Sequence, residues 1–356
     1  MRQNGLIIRW FQVQVLVGPP SALAAALFRW IRLAGTRQAW CLPGHSMGGM
    51  RSSHLLSGLV CTSLLSLPTH AQSLQQQVQA IQRDAQGKLQ VACAFAPAHK
   101  PAALDCDLDP HAHAPMQSVF KLPLAIAVLH QVELGKLKLD QPVRFERSDL
   151  FIPRAYSPLQ DKYPTANVDV PLRELLRLSV SLSDNAAADV LLRLLGGTEP
   201  VRTYITSLGV QGFALHHSEH ELHRDERLQY QDWFEPAGAV QLLRVLADRS
   251  PLNAEHTALL FDWMTNSARP GRLAGMLPKG TIVAHKTGTS DTENGVSAAT
   301  NDIGLITLPD GSRLAVAVFL TDSRADDAGR DRAIAQASLA VYNAAVAATT
   351  AAGKAK

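Results

Sequence analysis

A buried helix that begins with a serine and a lysine constrains the fold of this chain more than any other feature. Apolar residues recur at helical spacing after Lys121, which predicts a helix over about residues 118–134 with a buried face. Ser118 and Lys121 stand three positions apart at its start, so their side chains lie within reach of each other. A serine needs an adjacent base to act as a nucleophile, and a desolvated lysine can be that base. Taken alone, the motif also fits a helix-capping serine beside a solvated lysine.

Composition limits the classes of function. The chain has 356 residues, 46% of them hydrophobic, which is enough for one or two domains with a sizeable core. Its net charge is +3, but residues 1–71 hold six arginines and no lysine, aspartate or glutamate. Subtracting those six positive charges leaves a net charge of −3 for residues 72–356. A mildly acidic body has no electrostatic footprint for nucleic acid, so we expect no nucleic-acid partner.

Residues 50–71 have the pattern of a secretory signal peptide. Met50 begins a short basic stretch, residues 55–67 are apolar, and a cleavage site of the usual kind ends at Ala71. We therefore expect export to the periplasm as a soluble protein with no membrane attachment after cleavage. A buried helix is the alternative. Residues 1–49 are then an upstream segment outside the mature protein, or a weak membrane anchor.

Two cysteines fall on neighbouring predicted strands. Residues 89–95 and residues 104–108 both alternate between apolar and other side chains, and the stretch between them predicts a hairpin. Cys93 and Cys106 lie on the apolar side of their strands. In an exported protein the two can form a cross-strand disulfide, and two reduced core cysteines fit the pattern equally well.

The remaining pattern places a helical region between two parts that mix strands and helices. We therefore predict an α+β fold in which residues 72–115 and 268–356 form one discontinuous domain and residues 116–267 form a helical domain. The active site is expected in the cleft between the two. Further helices are predicted at residues 73–84, 172–181, 185–195, 199–209, 236–248, 254–267 and 325–347, and strands at residues 281–289, 302–308 and 313–321.

Two further motifs make the first one more specific. Ser183-Asp184-Asn185 lies in a turn between two predicted helices, and Lys286-Thr287-Gly288 lies on a predicted strand. Each could be ordinary, the first as a helix cap and the second as a strand end. Together with Ser118-x-x-Lys121 and in this order, they form the motif set of serine β-lactamases and penicillin-binding proteins.

From Gln72 to about residue 350 the chain resembles class A serine β-lactamases, especially their extended-spectrum branch. The resemblance implies a helical domain beside an α/β domain whose five-stranded antiparallel sheet is flanked by the terminal helices. It also implies hydrolysis of the β-lactam amide of penicillins and cephalosporins, with a small-molecule β-lactam as partner and no cofactor or metal. We expect a monomer. The matching stretches are residues 117–121, 181–185, 229–233, 285–290 and 299–302.

The resemblance gives four residues catalytic roles. Ser118 attacks the strained carbonyl, and the N–H groups of Ser118 and Thr289 stabilise the oxyanion. Lys121, or Glu219 through a water molecule, removes the serine proton, and this choice stays open. Ser183 relays a proton to the departing nitrogen, and Glu219 activates the water that releases the acyl group.

The resemblance also implies a set of substrate-binding residues. Asn185 is expected to hold the side-chain amide of the substrate, and Tyr156 to pack at the mouth of the cleft. Arg272 is expected to supply a counter-charge for the ring carboxylate. His223 stands where the family usually has asparagine, a difference shared with the extended-spectrum branch. The strand residues of the predicted binding site are Lys286, Thr287, Gly288 and Thr289.

Other classes of function compete with this one. A DD-peptidase, a transpeptidase or a penicillin-binding sensor also acylates at the serine, but Glu219 favours an enzyme that releases the acyl group. A zinc hydrolase is suggested by His216-x-x-Glu219-His220, which matches a metalloprotease pattern. That chemistry needs both histidines on one helix face, and residues 214–228 lack an apolar helical period, so we expect a polar loop there.

Overall fold

The computed structural model describes residues 72–96, 104–248 and 250–354, and the predicted upstream segment and signal peptide lie outside them. Within these residues, no helix has the length and apolarity needed to span a bilayer. The helices are α1 (Leu74–Asp84), α2 (Lys121–Glu133), α3 (Pro158–Lys162), α4 (Leu172–Ser181), α5 (Asn185–Leu195), α6 (Glu199–Ser207), α7 (Glu219–Arg224), α8 (Pro236–Asp248), α9 (Ala254–Thr265) and α10 (Asp327–Lys354). The strands are β1 (Lys88–Ala96), β2 (Ala114–Pro115), β3 (Pro142–Phe145), β4 (Val168–Pro171), β5 (Phe213–Ala214), β6 (Trp233–Phe234), β7 (Val283–Thr289), β8 (Thr292–Glu293), β9 (Val296–Thr307) and β10 (Arg313–Ser323). Short 3-10 helices cover Gln117–Phe120, Arg147–Asp149 and Glu226–Gln231.

The fold is α+β and contains the expected five-stranded antiparallel sheet. Its strand order is β1-β10-β9-β7, and β8 pairs with β9. Along β10, Val316 and Val318 pack in the cluster that includes side chains of α1 and α10, whereas Ala317 and Phe319 face the cluster shared with the helical region. Because both faces of the sheet are covered, its central strand is apolar at nearly every position instead of alternating.

Helix α2 forms the centre of the helical region. Its residues from Lys121 to Leu129 are all buried, and it packs against α4, α5 and α6. A helix that is apolar all round must be enclosed, which explains why no single face stands out. The predicted helix starts later than expected, because residues 117–120 form a 3-10 turn and the α-helix begins at Lys121.

The hairpin predicted for the two cysteines is only partly formed. Cys93 on β1 and Cys106 are joined by a disulfide, which is one of the two outcomes left open by the sequence. The second strand predicted at residues 104–108 is wrong, since only Val91 and Leu108 pair there, as an isolated bridge. The next residue, Asp109, has a φ of 44°, which turns the chain away from β1.

Residues 214–235, which include the polar loop predicted at residues 214–228, do not form a plain loop. They contain the short helix α7, a 3-10 helix and strand β6, and β6 pairs with β2 and β5. Ser218 caps α7 by accepting a hydrogen bond from the Glu221 backbone, while the Glu221 carboxylate accepts one from the Ser218 backbone. A six-residue helix held by polar caps needs no apolar period, so the sequence pattern does not reveal it.

Candidate active site

The predicted nucleophile and its lysine lie together at the start of α2. Ser118 is in the 3-10 turn, and Lys121 is the first residue of α2. The Lys121 Nζ atom is 2.9 Å from the Ser118 Oγ atom. The Lys121 side chain is completely buried, whereas Ser118 is half-buried and lines a cleft. The pair therefore has the direct contact that a base needs with its nucleophile.

Four oxygen atoms surround the Lys121 amine. They are the Ser118 hydroxyl at 2.9 Å, the Ser183 carbonyl at 2.9 Å, the Asn185 Oδ1 atom at 2.6 Å and the Glu219 Oε1 atom at 2.8 Å. An ammonium group has three N–H donors. The four contacts therefore cannot all be separate hydrogen bonds donated by the lysine.

Glu219 reaches the same point from another element. It begins α7, is 7% exposed, and places its Oε1 atom 3.4 Å from the Ser118 Oγ atom. The Asp189 carboxylate of α5 fastens this helix start by accepting hydrogen bonds from the N–H groups of Glu219 and His220, at 2.8 and 2.9 Å. Burial raises the pKa of Asp189, and its hydrogen bond with His220 opposes that shift. The buried Asp189 carboxylate thus fixes the position of Glu219, whose own carboxylate faces the Ser118 hydroxyl.

Strands β7 and β9 press directly against the turn that carries Ser118. A Cβ atom built on Gly288 would lie 2.4 Å from the Met116 carbonyl oxygen, so any side chain there collides with the turn. The Asn301 side chain on β9 donates hydrogen bonds to the carbonyls of Pro115 and Met116, at 2.8 and 3.1 Å. The predicted binding residue Gly288 therefore serves close packing, because only a glycine lets β7 approach the nucleophile this closely.

The turn between α4 and α5 carries Ser183. This serine adopts a left-handed backbone with a φ of 59°, which is uncommon for a residue with a side chain. The next residue, Asp184, is fully buried and accepts hydrogen bonds from the Ser157 hydroxyl and the Leu159 N–H, at 2.8 and 2.6 Å. Hydrogen bonds to the neighbouring Asp184 thus hold the turn in its strained conformation.

Lys286 meets this turn from β7. Its Nζ atom donates to the Ser183 hydroxyl and to the Thr287 carbonyl, both at 2.9 Å. Burial lowers the pKa of Lys286 well below its ordinary value, and the nearby charge of Lys121 adds to that shift. Lys286 is 1% exposed, so it acts on the cleft through its hydrogen bond to Ser183.

The cleft itself has a volume of about 360 Å³ and collects most of the predicted site. Tyr156 is 54% exposed at its edge. The Asn185 Oδ1 atom is engaged by Lys121, which leaves the amide NH₂ group available to donate into the cleft. The predicted residues that line the cleft are Ser118, Tyr156, Ser183, Asn185, Glu219, His223, Thr287 and Thr289.

Arg272 lies behind the cleft and does not line it. Its side chain is buried, its Nη1 atom donates to the carbonyls of Gly288 and Asn301, and its Nη2 atom donates to the Thr289 hydroxyl, all at 2.8 Å. The Asp331 carboxylate pairs with its Nε atom at 2.7 Å. The predicted direct contact between Arg272 and the ring carboxylate is therefore wrong. Arg272 instead orients the Thr289 hydroxyl, which lines the cleft.

His223 and the other histidines of this region have separate partners. The His223 Nε2 atom is 3.0 Å from the Pro153 carbonyl, so this ring is tied to the opposite edge of the cleft. The His216 Nδ1 atom is 3.2 Å from Arg202, whereas the His220 Nδ1 atom is 2.6 Å from Asp189. The two histidines of the zinc alternative therefore do not converge, because only His220 belongs to α7.

Other residues that contribute to the site were not among the predicted site residues. Asp189 had a weak signal in the sequence, as an acidic residue within the otherwise apolar start of α5. The Gln117 side-chain amide donates to the Gln229 side chain at 2.6 Å, and this contact depends on tertiary structure alone. Arg269 also lines the cleft, and nothing in its sequence neighbourhood distinguishes it from a surface arginine.

Comparisons with known proteins identify the family of the chain. The family model described as "Beta-lactamase enzyme family" matches residues 73–345. Among curated proteins, the extended-spectrum beta-lactamase PER-1 of Pseudomonas aeruginosa is 43% identical over 236 residues, covering 66% of this chain and 76% of the relative. Beta-lactamase VEB-1 of the same organism is 35% identical over 234 residues, covering 65% and 78%.

Solved structures give the same result. A beta-lactamase from Chitinophaga pinensis superimposes with a TM-score of 0.72 at 41% identity, covering 76% of this chain and 99% of that chain. The TLA-1 extended spectrum beta-lactamase superimposes with a TM-score of 0.73 at 37% identity, covering 77% and 98%. The similarity thus extends over nearly the whole of these structures.

Proposed function

The chain belongs to the beta-lactamase enzyme family and is a hydrolase of the class A β-lactamase type, and we propose that it opens penicillins and cephalosporins through an acyl-enzyme on Ser118. One observation carries the proposal. A buried amine lies 2.9 Å from the Ser118 hydroxyl and 2.8 Å from the Glu219 carboxylate, so a nucleophile, a base and a second carboxylate meet at one point. This arrangement supports both formation and hydrolysis of an ester.

Acylation begins with transfer of the Ser118 proton. When the Lys121 proton resides on Glu219, the neutral amine accepts the serine O–H and can still donate to the Ser183 carbonyl and the Asn185 side chain. The serine oxygen then bonds to the lactam carbonyl carbon as its proton passes to Lys121. Negative charge on the carbonyl oxygen is stabilised by the N–H groups of Ser118 and Thr289.

Cleavage of the lactam C–N bond needs a proton for the departing nitrogen. The Ser183 hydroxyl accepts a hydrogen bond from Lys286, which leaves its own O–H free to donate into the cleft. The Lys121 amine contacts the Ser183 carbonyl at 2.9 Å, so both lysines lie beside this residue. Ser183 therefore gives its proton to the nitrogen and regains one from a neighbouring lysine.

Deacylation depends on Glu219. Glu219 first returns its proton to the neutral Lys121 amine, 2.8 Å away, and becomes a carboxylate again. A water molecule between the ester and Glu219 then loses a proton to that carboxylate and attacks the ester carbonyl. The C–O bond to Ser118 breaks, and the serine oxygen takes a proton back. Asp189 keeps α7, and hence the carboxylate, at the distance from Ser118 that a single water can bridge.

Substrate orientation follows from the cleft wall. The Asn185 amide donates to the carbonyl of the substrate's side-chain amide, and Tyr156 covers the cleft mouth. The hydroxyl groups of Thr287 and Thr289 donate to the ring carboxylate, supported by the positive charge of Arg272 behind them.

Turnover of a β-lactam by the purified protein tests the proposal. We expect many molecules of a chromogenic cephalosporin to be hydrolysed per enzyme, and the Ser118→Ala variant to lose about three orders of magnitude in kcat or more. Ser148→Ala removes an exposed serine hydroxyl from a remote 3-10 helix and serves as the matched control. A single burst followed by a lasting adduct would instead indicate a DD-peptidase, transpeptidase or sensor.

We also propose export to the periplasm. The signal-peptide pattern of residues 50–71 supports it, and so does the Cys93–Cys106 disulfide, since disulfides persist in oxidising compartments. Mass spectrometry of the protein from a periplasmic fraction is expected to give a mature chain that begins at Gln72. A chain that retains residues 50–71 would contradict this proposal.

A further inference from the structure

Arg269 is an exposed arginine at one end of the cleft, outside the groups that form the acyl-enzyme. The neighbouring Ala268 N–H donates to the Ser181 carbonyl at 2.9 Å, next to the turn that carries Ser183. Three residues after Arg269, the Arg272 side chain donates a hydrogen bond to the Thr289 hydroxyl at 2.8 Å. The segment from 268 to 272 therefore closes the end of the cleft between Ser183 and Thr289, and Arg269 lines it there.

The charge of Arg269 is not neutralised by a neighbour. Among the described residues, no acidic side chain forms an ion pair with it. By contrast, Arg154, which also lines the cleft, pairs with Asp161, and Arg272 pairs with Asp331. An unpaired guanidinium at the rim of a cleft acts on the ligand through its full charge, screened only by solvent and salt.

The expected pose of a cephalosporin brings its C3 substituent to this end. The lactam carbonyl lies at Ser118, the side-chain amide at Asn185, and the C4 carboxylate at Thr287 and Thr289. The C3 carbon is bonded to the carbon that carries the carboxylate, so its substituent lies beside the groups that bind that carboxylate. Arg269 lines this cleft without an ion-pair partner among the described residues, and the carboxylates of Glu226 and Asp291 line it as well.

We propose that Arg269 selects β-lactams by the charge of the group next to their ring carboxylate. This proposal rests on the β-lactam hydrolysis proposed above. Arg269 strengthens binding of cephalosporins whose C3 group is neutral or anionic, because it adds attraction for the adjacent carboxylate. It favours these substrates over cephalosporins whose C3 group is a quaternary ammonium, because the two positive charges repel and offset that attraction.

The test compares two cephalosporins that share one side chain and differ at C3, one with an acetoxymethyl group and one with a quaternary ammonium group. Steady-state kcat and KM are measured for the wild type, Arg269→Ala and Arg269→Glu at low salt and at 0.5 M salt. Arg269→Ala is expected to raise KM for the acetoxymethyl substrate about two- to fivefold, the range of one exposed ion pair. For the ammonium substrate the lost repulsion opposes the lost attraction, so the ratio of its KM to that of the acetoxymethyl substrate is expected to fall. Arg269→Glu is expected to shift the ratio of the two KM values further in the same direction.

Three controls separate this role from others. Arg173→Ala removes an exposed positive charge from α4, far from the cleft lining, and is expected to leave the ratio unchanged. High salt is expected to shrink the effect, since a screened charge cannot discriminate. Arg269→Lys keeps the charge and is expected to keep the wild-type ratio.

Two results would overturn the proposal, and they differ from each other. If the wild type hydrolyses both substrates and the KM ratio stays the same in Arg269→Ala and Arg269→Glu, the selectivity assigned to Arg269 is wrong while the β-lactamase function stands. If the wild type hydrolyses neither substrate, the proposed function fails and the role of Arg269 fails with it.

Discussion

Buried ionisable side chains are concentrated around the cleft, and their partners limit the cost of burying them. Lys121 faces Glu219 at 2.8 Å, and the buried His285 ring lies 2.9 Å from both carboxylate oxygens of Asp302. Asp232 is different, because it is 2% exposed and its carboxylate accepts hydrogen bonds only from the backbone N–H groups of the 216–217 segment. Burial outweighs these hydrogen bonds and the nearby His217, and this should be visible in the pH dependence of stability.

Asp232 gives a prediction for stability. Burial raises the pKa of Asp232 to about 6, from an ordinary value of 3.8. Between these two values the native state binds more protons than the unfolded state, so this residue's contribution to stability is complete below pH 4 and is lost as the pH rises through about 6. Asp232→Asn keeps an acceptor oxygen and does not titrate. Relative to this variant, the wild type is expected to lose on the order of 2 kcal/mol of unfolding free energy between pH 4 and pH 7.

Denaturant titrations of the wild type and the variant at several pH values would measure this difference. The Asp225→Asn variant is the control for the sign of this change of unfolding free energy with pH. The Arg227 side chain lowers the pKa of Asp225, so the contribution of Asp225 is gained as the pH rises. A difference between wild type and Asp232→Asn that stays constant from pH 4 to pH 7 would contradict the assigned pKa.

At the scale of elements, the 3-10 helix Glu226–Gln231 is held from two sides. On the inner side, Gln229 accepts a hydrogen bond from Gln117, which precedes the nucleophile. On the outer side, the Tyr230 hydroxyl donates to Asp322 at 2.7 Å. Burial and the nearby Asp322 raise the pKa of Tyr230 to about 12, so the hydroxyl remains a donor at neutral pH. The connection that follows Glu219 is therefore tied both to the turn with Ser118 and to the sheet.

The hydrogen bond between Tyr230 and Asp322 can be tested by removing the tyrosine hydroxyl. Tyr230→Phe is expected to lower the unfolding free energy by about 1 kcal/mol, the usual net contribution of one hydrogen bond. Amide hydrogen exchange is expected to speed up in residues 219–231 and to stay unchanged in α2. Tyr204→Phe is the matched control, since within the described residues the Tyr204 ring stacks on His130 and its hydroxyl forms no hydrogen bond. Equal exchange in Tyr230→Phe and the wild type would show that the tie does not restrain this segment.

At the scale of the whole molecule, the sequence could predict the elements and motifs whose signals are local. The buried helix α2 is visible because its apolar residues are continuous, and the three motifs are visible because each has a fixed spacing. Helix α7 could not be predicted, because it is held by polar caps and by Asp189 from another helix. The buried position of Arg272 was missed for a similar reason, since its partners come from segments 16 to 59 residues away. Contacts between segments far apart in the chain produce no periodic pattern of residues, so the sequence alone does not reveal them.

The convergence of these distant segments on one amine is the central claim, and the fate of the acyl group tests it most directly. The measurement is the intact mass of the Glu219→Gln variant after mixing with a penicillin, followed over time. Glutamine keeps the size of the side chain and cannot take a proton from water, so we expect one covalent adduct per enzyme on Ser118 that persists for minutes or longer. Glu221→Gln, on the same helix but at its exposed capping position, is expected to hydrolyse the adduct as the wild type does. Wild-type turnover by Glu219→Gln, with no adduct, would contradict the role of this carboxylate in releasing the acyl group.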